Sequence, residues 1–313
     1  MKKLSKRTIS ILVFLLCVLF SNAQTDLAEH DLRGKVKSVF DVTYKLILEK
    51  NKSSNTTIKK EEKTNELKQL YKFSKEGKLT EDCRFNPDGS IYDKSIYVYD
   101  TDNKDVMTEE FRYKQDNHLY LKYVYSYDEH GNISIRTGFT LDEILSEKYI
   151  YSYDEENVNT EINCFDSNEE LQRTYKFLRN SNKIEEKLFN SEGELLQTKL
   201  CIFDSAGKQI EENLYNTEGL SERKYACKYD AAGNKIEETL CNYGVLIYTI
   251  TALFDEAGLR IEDTKTEYKP DGTIQTTITS KYTYDDQNNW IKKIIIKNEI
   301  PRFVLERKIK YYK

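Results

Sequence analysis

Apolar and polar residues alternate along most of the chain, in short segments that each end at a turn. Because successive side chains of a β-strand point to opposite faces, Tyr123, Tyr125 and Tyr127 share one face of such a segment. Segments 149–153 and 225–229 repeat the pattern with Tyr or Cys at every second position. The pattern predicts an all-β chain of short strands joined as hairpins.

The segments are joined by a recurring turn that reads aromatic residue, Asp, two variable residues and Gly. The Asp favours a type I turn because its side chain accepts a hydrogen bond from the backbone N–H two residues on. The fourth residue must take a positive φ before the next strand, in the type I turn plus bulge of common hairpin loops. Gly takes this conformation freely and Asn tolerates it. Asn at positions 103, 157 and 288 therefore predicts the same turn. The clear copies are Tyr127–Gly131, Phe203–Gly207, Tyr229–Gly233 and Phe254–Gly258, and a second series starts at Phe85-Asn86, Phe189-Asn190 and Tyr215-Asn216.

The turns recur with a period of 25 to 26 residues, from Gly207 to Gly233 to Gly258, and each interval contains one turn of the second series. One repeat is thus two strands and two turns. We expect about 17 antiparallel strands in one long hairpin meander. A sheet of that length curls, so we expect a coiled or spiral sheet with its tyrosine side on the concave, more buried surface.

The rest of the chain fits one domain at residues 24–313. The clean repeats cover about 73–290, and residues 291–313 read as a C-terminal cap. The charged, Ser- and Thr-rich segment 50–63 is expected to be a loop inside the first hairpin.

Residues 1–23 have the three parts of a secretory signal peptide, which would form a signal helix. Basic residues precede the apolar run Ile9–Phe20, and Ser21-Asn22-Ala23 provides a cleavage point. An uncleaved anchor is the alternative, disfavoured because no basic flank follows Phe20. We therefore expect an exported protein that is periplasmic, cell-surface associated or secreted, with no membrane span after the signal peptide.

Composition narrows the class of partner. The 24 Tyr and 13 Phe argue against disorder, although 32% of residues are charged and the mean hydropathy is -0.72. The net charge of -5 is mild, and Lys and Glu are interspersed along the strands. No basic stripe for nucleic acid is present, so nucleic acid is not an expected partner.

The recurring Tyr-Asp-x-x-Gly-Asn steps resemble the YD repeats of Rhs-type proteins, over about Phe73 to Trp290. The leading Gly34-Lys-Val-Lys-Ser-Val39 resembles the small exported envelope proteins of the Bacteroides type in that family. The resemblance implies a β-sheet that coils into a spiral or shell, and in some members carbohydrate binding. Large members encapsulate a toxin, but this chain lacks their Asp-Pro-rich core motif and any toxin domain. The repeat supplies no catalytic residue.

No catalytic, metal or cofactor site is predicted, and we expect a protein that is not an enzyme. His30, His118 and His130 are scattered, whereas a zinc site needs clustered ligands. The acidic turn 100–103 lacks the spaced ligands of an EF-hand. Without Cys17 the cysteines number five and form no CxxC pair, so packing of free thiols is favoured over a disulfide framework. They are Cys83, Cys164, Cys201, Cys227 and Cys241.

These observations predict a non-enzymatic binding or scaffold protein of the cell envelope, with a polysaccharide or an envelope protein as partner. Tyrosine rings at regular steps suit the apolar faces of sugars, although cross-strand ring packing alone would explain them. An immunity-type partner of an Rhs-like toxin system is the alternative. The weak candidate binding residues are Tyr97, Tyr99, Tyr125, Tyr127, Tyr151 and Tyr153.

Overall fold

The computed structural model describes residues 26–50, 56–61, 68–103 and 105–313, so the predicted signal peptide lies outside the described residues. No helix within these ranges has the length and apolar character that crossing a bilayer requires. The elements are the helix α1 (Asp26–Glu29), a 3-10 helix at Gln115–Asn117, and the strands β1 (Val36–Lys50), β2 (Thr56–Glu61), β3 (Lys68–Phe73), β4 (Leu79–Phe85), β5 (Ile91–Tyr99), β6 (Met107–Lys114), β7 (His118–Tyr127), β8 (Ile133–Phe139), β9 (Leu145–Tyr153), β10 (Asn159–Phe165), β11 (Leu171–Asn180), β12 (Lys183–Asn190), β13 (Leu195–Phe203), β14 (Gln209–Tyr215), β15 (Ser221–Tyr229), β16 (Lys235–Asn242), β17 (Val245–Phe254), β18 (Arg260–Tyr268), β19 (Ile274–Tyr284), β20 (Trp290–Lys297) and β21 (Ile300–Tyr311).

The strands form one antiparallel sheet that closes on itself. From β3 to β21 each strand pairs with the next along the chain, and β1 joins the two ends of this run. On one side Val36 to Lys45 pairs with β21, and on the other Ser38 to Asp41 pairs with β3. Twenty strands therefore make a closed barrel, and β2 pairs with the far end of β1 as an additional hairpin strand.

This closure corrects the expectation of a coiled or spiral sheet of about 17 strands. The strands β4 to β20 number 17 and span Leu79 to Lys297, which is close to the region of clean repeats. The remaining strands, β1, β2, β3 and β21, lie at the two ends of the chain. Because β1 pairs with β21 on one side and with β3 on the other, neither end of the run of hairpins is left as an exposed edge.

The segments interpreted as a loop and as a C-terminal cap both contain strands. Residues 56–61 of the predicted loop form β2, and the residues on either side of it, 51–55 and 62–67, lie outside the described residues. In the predicted C-terminal cap, β21 pairs with β20 on one side and β1 on the other, so it is an interior strand of the sheet.

The hairpin turns have the predicted chemistry. At Asp128 the carboxylate accepts hydrogen bonds from the N–H groups of His130 and Asn132, at 3.0 and 2.8 Å. The Gly of each clear copy has a positive φ, as do Asn157 and Asn288. Asn103 departs from the prediction, because the Asp100 loop is longer and closes with the Asp100 N–H on the Val106 carbonyl.

The register assigns every strand residue to one of two faces. The face that carries Tyr123, Tyr125 and Tyr127, here called the tyrosine face, contains most of the buried strand residues and is the inner one. The opposite face carries exposed Lys and Glu pairs across neighbouring strands, such as Lys122–Glu109 and Lys224–Glu211. These ion pairs suit a surface in water.

The N-terminal segment packs against the tyrosine face where the barrel closes. Leu32 is buried with Val36, Val39 and Phe73. The His30 ring lies 4.5 Å from the Tyr71 ring, centroid to centroid. The first described residues thus cover β1 and β3 from inside.

Candidate binding face

All six candidate tyrosines lie on the tyrosine face, and each is half-buried. The register separates them into two groups. Tyr99, Tyr127 and Tyr153 end their strands at the Asp turns. Tyr97, Tyr125 and Tyr151 lie two residues earlier, further inside the barrel.

The turn tyrosines have a structural role. The hydroxyl of Tyr153 donates to the Ile133 carbonyl at 2.9 Å, and Tyr99 donates in the same way to Leu79 at 2.9 Å. Each bond joins the end of one strand to the start of the preceding strand. The hydroxyls are therefore engaged in the sheet, which leaves the second group as the better candidates for ligand contact. The same bond recurs at Tyr127, Tyr229 and Tyr284.

The second group lies beside charged side chains. The Tyr125 hydroxyl donates to Glu110 Oε2 at 2.9 Å, and Arg112 Nε donates to Glu110 Oε1 at 2.6 Å. Burial, together with the charge of Glu110, raises the pKa of Tyr97 to about 12. Both phenols are neutral hydrogen-bonding groups at physiological pH.

Arg136 occupies the middle of this region. It faces Tyr125 on one neighbouring strand and Tyr149 on the other. Its guanidinium carbon lies 3.8 Å from the Tyr123 ring centroid and 4.9 Å from that of Tyr149. The residue is only 8% exposed, and its Nε has no hydrogen-bond partner among the described residues. Arg136 is thus a buried cation held mainly by aromatic rings.

Gly138 makes this arrangement possible. It stands opposite Tyr123, and a Cβ on Gly138 would lie 2.9 Å from Cε1 of that ring. Because the side chain is absent, Tyr123 crosses β8 and its hydroxyl donates to Glu147 on β9. The Tyr149 hydroxyl donates to the other oxygen of the same carboxylate at 2.9 Å. The network fixes the direction of two rings and one carboxylate.

A cavity of about 290 Å³ opens on the same face between β16 and β20. Ala252 and Ile250 form its apolar part, and Tyr282, Asp263 and Lys293 its polar part. The Tyr282 hydroxyl donates to Asp263, and Lys293 Nζ lies 5.1 Å from the Tyr282 ring centroid. Ala252 is buried, and its side chain is the smallest of those that line the cavity.

The basic residues at this cavity were not predicted from the sequence. Arg260 and Lys235 stand directly after a turn, where a bulge brings the first strand residue opposite the turn aromatic, Phe254 or Tyr229. A bulge of this kind reverses the simple alternation. The sequence signal that could have identified them is their position two residues after the turn Gly, because a residue at that position lies on the inner face.

Groups that could support other chemistry are separated in the described part of the chain. Within it, no cluster of three or more His, Cys, Asp or Glu side chains could hold a metal ion. The five cysteines after the predicted signal peptide are not joined by disulfide bonds in the described part of the chain. Burial raises the pKa of Cys164 to about 12 and of Cys83 to about 11, so neither is a thiolate near neutral pH.

No family model and no curated protein matches the chain, so the resemblance to YD repeats is not confirmed at the sequence level. Among solved structures, the chain is similar to a porin-like protein from Bacteroides uniformis, at 8% identity and a TM-score of 0.38, covering 88% of this chain and 96% of that one. A porin-like protein from Bacteroides vulgatus matches at 10% identity and a TM-score of 0.29, covering 88% and 98%. TcdB2-TccC3 without its hypervariable C-terminal region matches at 10% identity and a TM-score of 0.32, covering 82% of this chain and 15% of that one. At these values the similarities identify neither the family of this chain nor its function.

Proposed function

We propose that this chain is an exported, non-enzymatic protein of the cell envelope that binds a saccharide polymer on its tyrosine face. The observation that carries the proposal is the set of half-buried tyrosines Tyr97, Tyr125 and Tyr151. Their rings lie on alternate strands of one face, beside charged hydrogen-bonding groups. Export rests on the signal-like pattern of residues 1–23.

The chemistry of this face matches that of a sugar. A pyranose ring has apolar C–H faces and a rim of hydroxyl groups. A tyrosine ring packs against the apolar face, and carboxylates, guanidinium groups and phenols bind the rim. The half-buried side chains of Glu147 and Arg112 provide such groups here, already oriented by hydrogen bonds to Tyr149 and Glu110 respectively.

The spacing favours a polymer over a single small molecule. Strands of a sheet are about 4.8 Å apart, so aromatic residues on alternate strands recur at roughly 9–10 Å. Glu110 on β6 stands between Tyr97 on β5 and Tyr123 on β7. In the same way, Gly138 on β8 stands between Tyr123 and Glu147 on β9. One extended ligand could therefore contact several strands in succession.

The proposal is tested with a glycan array followed by titration calorimetry on the folded protein. We expect binding of at least one polysaccharide, with a several-fold loss of affinity in Tyr97→Ala, because a stacking ring is removed. Tyr120→Ala is the matched control, since Tyr120 is also half-buried but lies on the outer face. If the protein bound none of the polysaccharides while its melting curve showed that it was folded, the proposed function would be rejected.

A further inference from the structure

We infer that the cavity between β16 and β20 is a subsite for an anionic sugar unit, whose carboxylate lies between Lys293 and Arg260. This inference rests on the proposed function and names the class of saccharide, a polymer that contains uronic acid. The cavity volume of about 290 Å³ stands at the lower end of ligand pockets, which hold about 300–1,000 Å³. It therefore fits one sugar ring rather than several.

The first argument is an imbalance of charge partners. Neither Lys293 nor Arg260 forms an ion pair with a carboxylate in the described part of the chain, although both border the cavity. Arg260 instead has its guanidinium carbon 5.6 Å from the Phe254 ring centroid. Among the described residues, Asp263 is the one carboxylate that acts on Lys293, so the two cations share a single nearby negative charge. A bound carboxylate would balance the remaining positive charge.

The acidic residues of the cavity are already engaged. Asp263 accepts a hydrogen bond from the Tyr282 hydroxyl. Glu238 accepts a hydrogen bond from Tyr225 at 2.7 Å and pairs with Lys235 at 3.5 Å. Both carboxylates are thus engaged by a hydroxyl or ammonium group, and neither forms an ion pair with Lys293 or Arg260 within the described residues, so an incoming carboxylate can bind the two cations.

The state of the lysine agrees with this arrangement. Burial lowers the pKa of the Lys293 amine, the Asp263 carboxylate partly offsets this by raising it, and the Arg260 guanidinium lowers it by less. Burying an ammonium group whose charge is only partly balanced is unfavourable. Such a group gains more from an incoming carboxylate than an exposed lysine would.

The remainder of the cavity suits the ring that bears the carboxylate. Ala252 and Ile250 provide an apolar surface, and the Tyr282 ring provides an aromatic side. The subsite therefore combines a charged end with an apolar floor, as recognition of a uronic acid requires. A free inorganic anion would use only the charged end.

The experiment compares oligomers of galacturonic acid and of galactose of equal length, titrated against the full mature chain. We expect the uronate oligomer to bind at least about tenfold more tightly, and this preference to weaken as NaCl is raised. Lys293→Met keeps the length of the side chain, removes its charge and should abolish the preference. Lys292→Met is the matched control, because Lys292 is exposed on the outer face of the same strand. Equal affinity for the two oligomers, or equal behaviour of the two variants, would overturn the inference while leaving the proposed function standing.

A second measurement covers the case in which neither oligomer binds and the proposed function fails. The extent of acylation of the Lys293 amine is measured by peptide mass mapping under four conditions. These are no addition, added galacturonate, added galactose and added sulfate. Protection by galacturonate alone would support the uronate subsite. Equal protection by sulfate would indicate a general anion site and overturn the sugar assignment, and no protection would overturn the subsite altogether.

Discussion

The turn glycines are the residues that the sequence motif specifies most strictly, and they offer two different environments for the same substitution. Gly207 has a φ of 77° with no heavy atom within 4 Å of an added Cβ. Gly233 has a φ of 88°, but an added Cβ would lie 1.9 Å from Lys208 Nζ, whose amine donates to the Gly233 carbonyl at 2.8 Å. The first position tests backbone strain alone, and the second adds a steric contact.

Gly207→Val should lower the free energy of unfolding by about 1–3 kcal/mol, because a β-branched residue is strained at positive φ. Gly233→Val should cost somewhat more, since the end of the Lys208 side chain must also move. Asn at either position should be milder. Chemical denaturation of the four variants measures the differences, and equal midpoints for the Val and Asn variants would count against strain at these turns.

The tyrosine of the turn motif has a role that its sequence position did not indicate. Its hydroxyl bonds a carbonyl of the preceding strand, as in Tyr229 to Gln209 at 3.0 Å. Phe203 and Phe254 occupy equivalent positions in other repeats, so the ring is more general than the hydroxyl. The bond should therefore stabilise the sheet without being required for folding.

Tyr229→Phe should lower the free energy of unfolding by about 0.5–1.5 kcal/mol, the net contribution of one hydrogen bond. Tyr243→Phe is the control: its hydroxyl bonds Glu222, but the side chain is 70% exposed, so little change is expected. Thermal melts measure the loss of stability in both variants. A loss for Tyr243→Phe as large as that for Tyr229→Phe would argue that the bond from Tyr229 to Gln209 stabilises the fold no more than an exposed bond does.

At the scale of single elements, the sequence predicted the hairpins and a type I turn with a bulge at its Gly, but not the second bulge at the start of the return strand, as between Lys235 and Glu237. The alternation and the Asp turns place β13 to β16 as observed, because both signals are local to a hairpin. The bulges bring Lys235, Arg260 and Trp290 opposite the turn aromatics on the inner face. The positions of Lys235 and Arg260 at the candidate subsite therefore depend on one extra residue in each of their strands, because alternation alone would assign both side chains to the outer face.

The N-terminal segment is the element whose docking should respond to pH. His30 contacts Tyr71 and Phe73, and burial lowers the pKa of its imidazole. The charge of Arg307 lowers this pKa as well, whereas the nearby carboxylates, with Asp82 foremost, raise it. Because the shift is downward, the unfolded chain takes up a proton before the folded one does. The stability contributed by neutral His30 is thus present above pH 6.5 and is lost as pH falls through the folded pKa.

The wild-type chain should therefore lose stability on acidification below pH 6.5, and His30→Gln should lose less over the same interval. His130→Gln is the matched control, because His130 is exposed in a turn. The measurement is the denaturation midpoint between about pH 7.5 and pH 5. Parallel curves for the wild type and His30→Gln would contradict a protonation-sensitive docking of this segment.

At the scale of the whole molecule, closure is the feature that the repeat could not predict. Each hairpin specifies only its own neighbour, so a run of them fits an open coil and a ring equally well. The pairing of β1 with β21 distinguishes the two, and neither strand carries the turn motif. The signal lies in tertiary contacts across the full length of the sequence, which local patterns do not contain.

The pairing of β1 with β21, here called the seam, contains an ion pair that is more buried than those on the outer surface. Arg307 binds Asp41 through two hydrogen bonds, Nε to Oδ1 at 2.9 Å and Nη2 to Oδ2 at 2.8 Å. Its guanidinium carbon lies 3.6 Å from the Trp290 ring centroid. The side chains of Arg307 and Asp41 are 8% and 18% exposed. The pair thus joins the first and last strands inside the barrel, where solvent screens it weakly.

Asp41→Asn should lower the free energy of unfolding by about 3 kcal/mol, since it leaves a buried guanidinium without its counter-charge. Glu211→Gln is the matched control: it removes the carboxylate that Lys224 binds at 2.8 Å on the outer face, where exposed pairs contribute less than about 1 kcal/mol. Hydrogen exchange then locates the effect, because weakening the seam should lower protection first in β1 and β21 and leave β13 to β16 unchanged. A uniform loss of protection, or equal costs for the two variants, would show that the seam is no more stabilising than any other strand pair. A selective loss would establish that contacts between the two ends of the chain hold the barrel closed. It would also show that the stability of the repeat hairpins between them does not depend on closure.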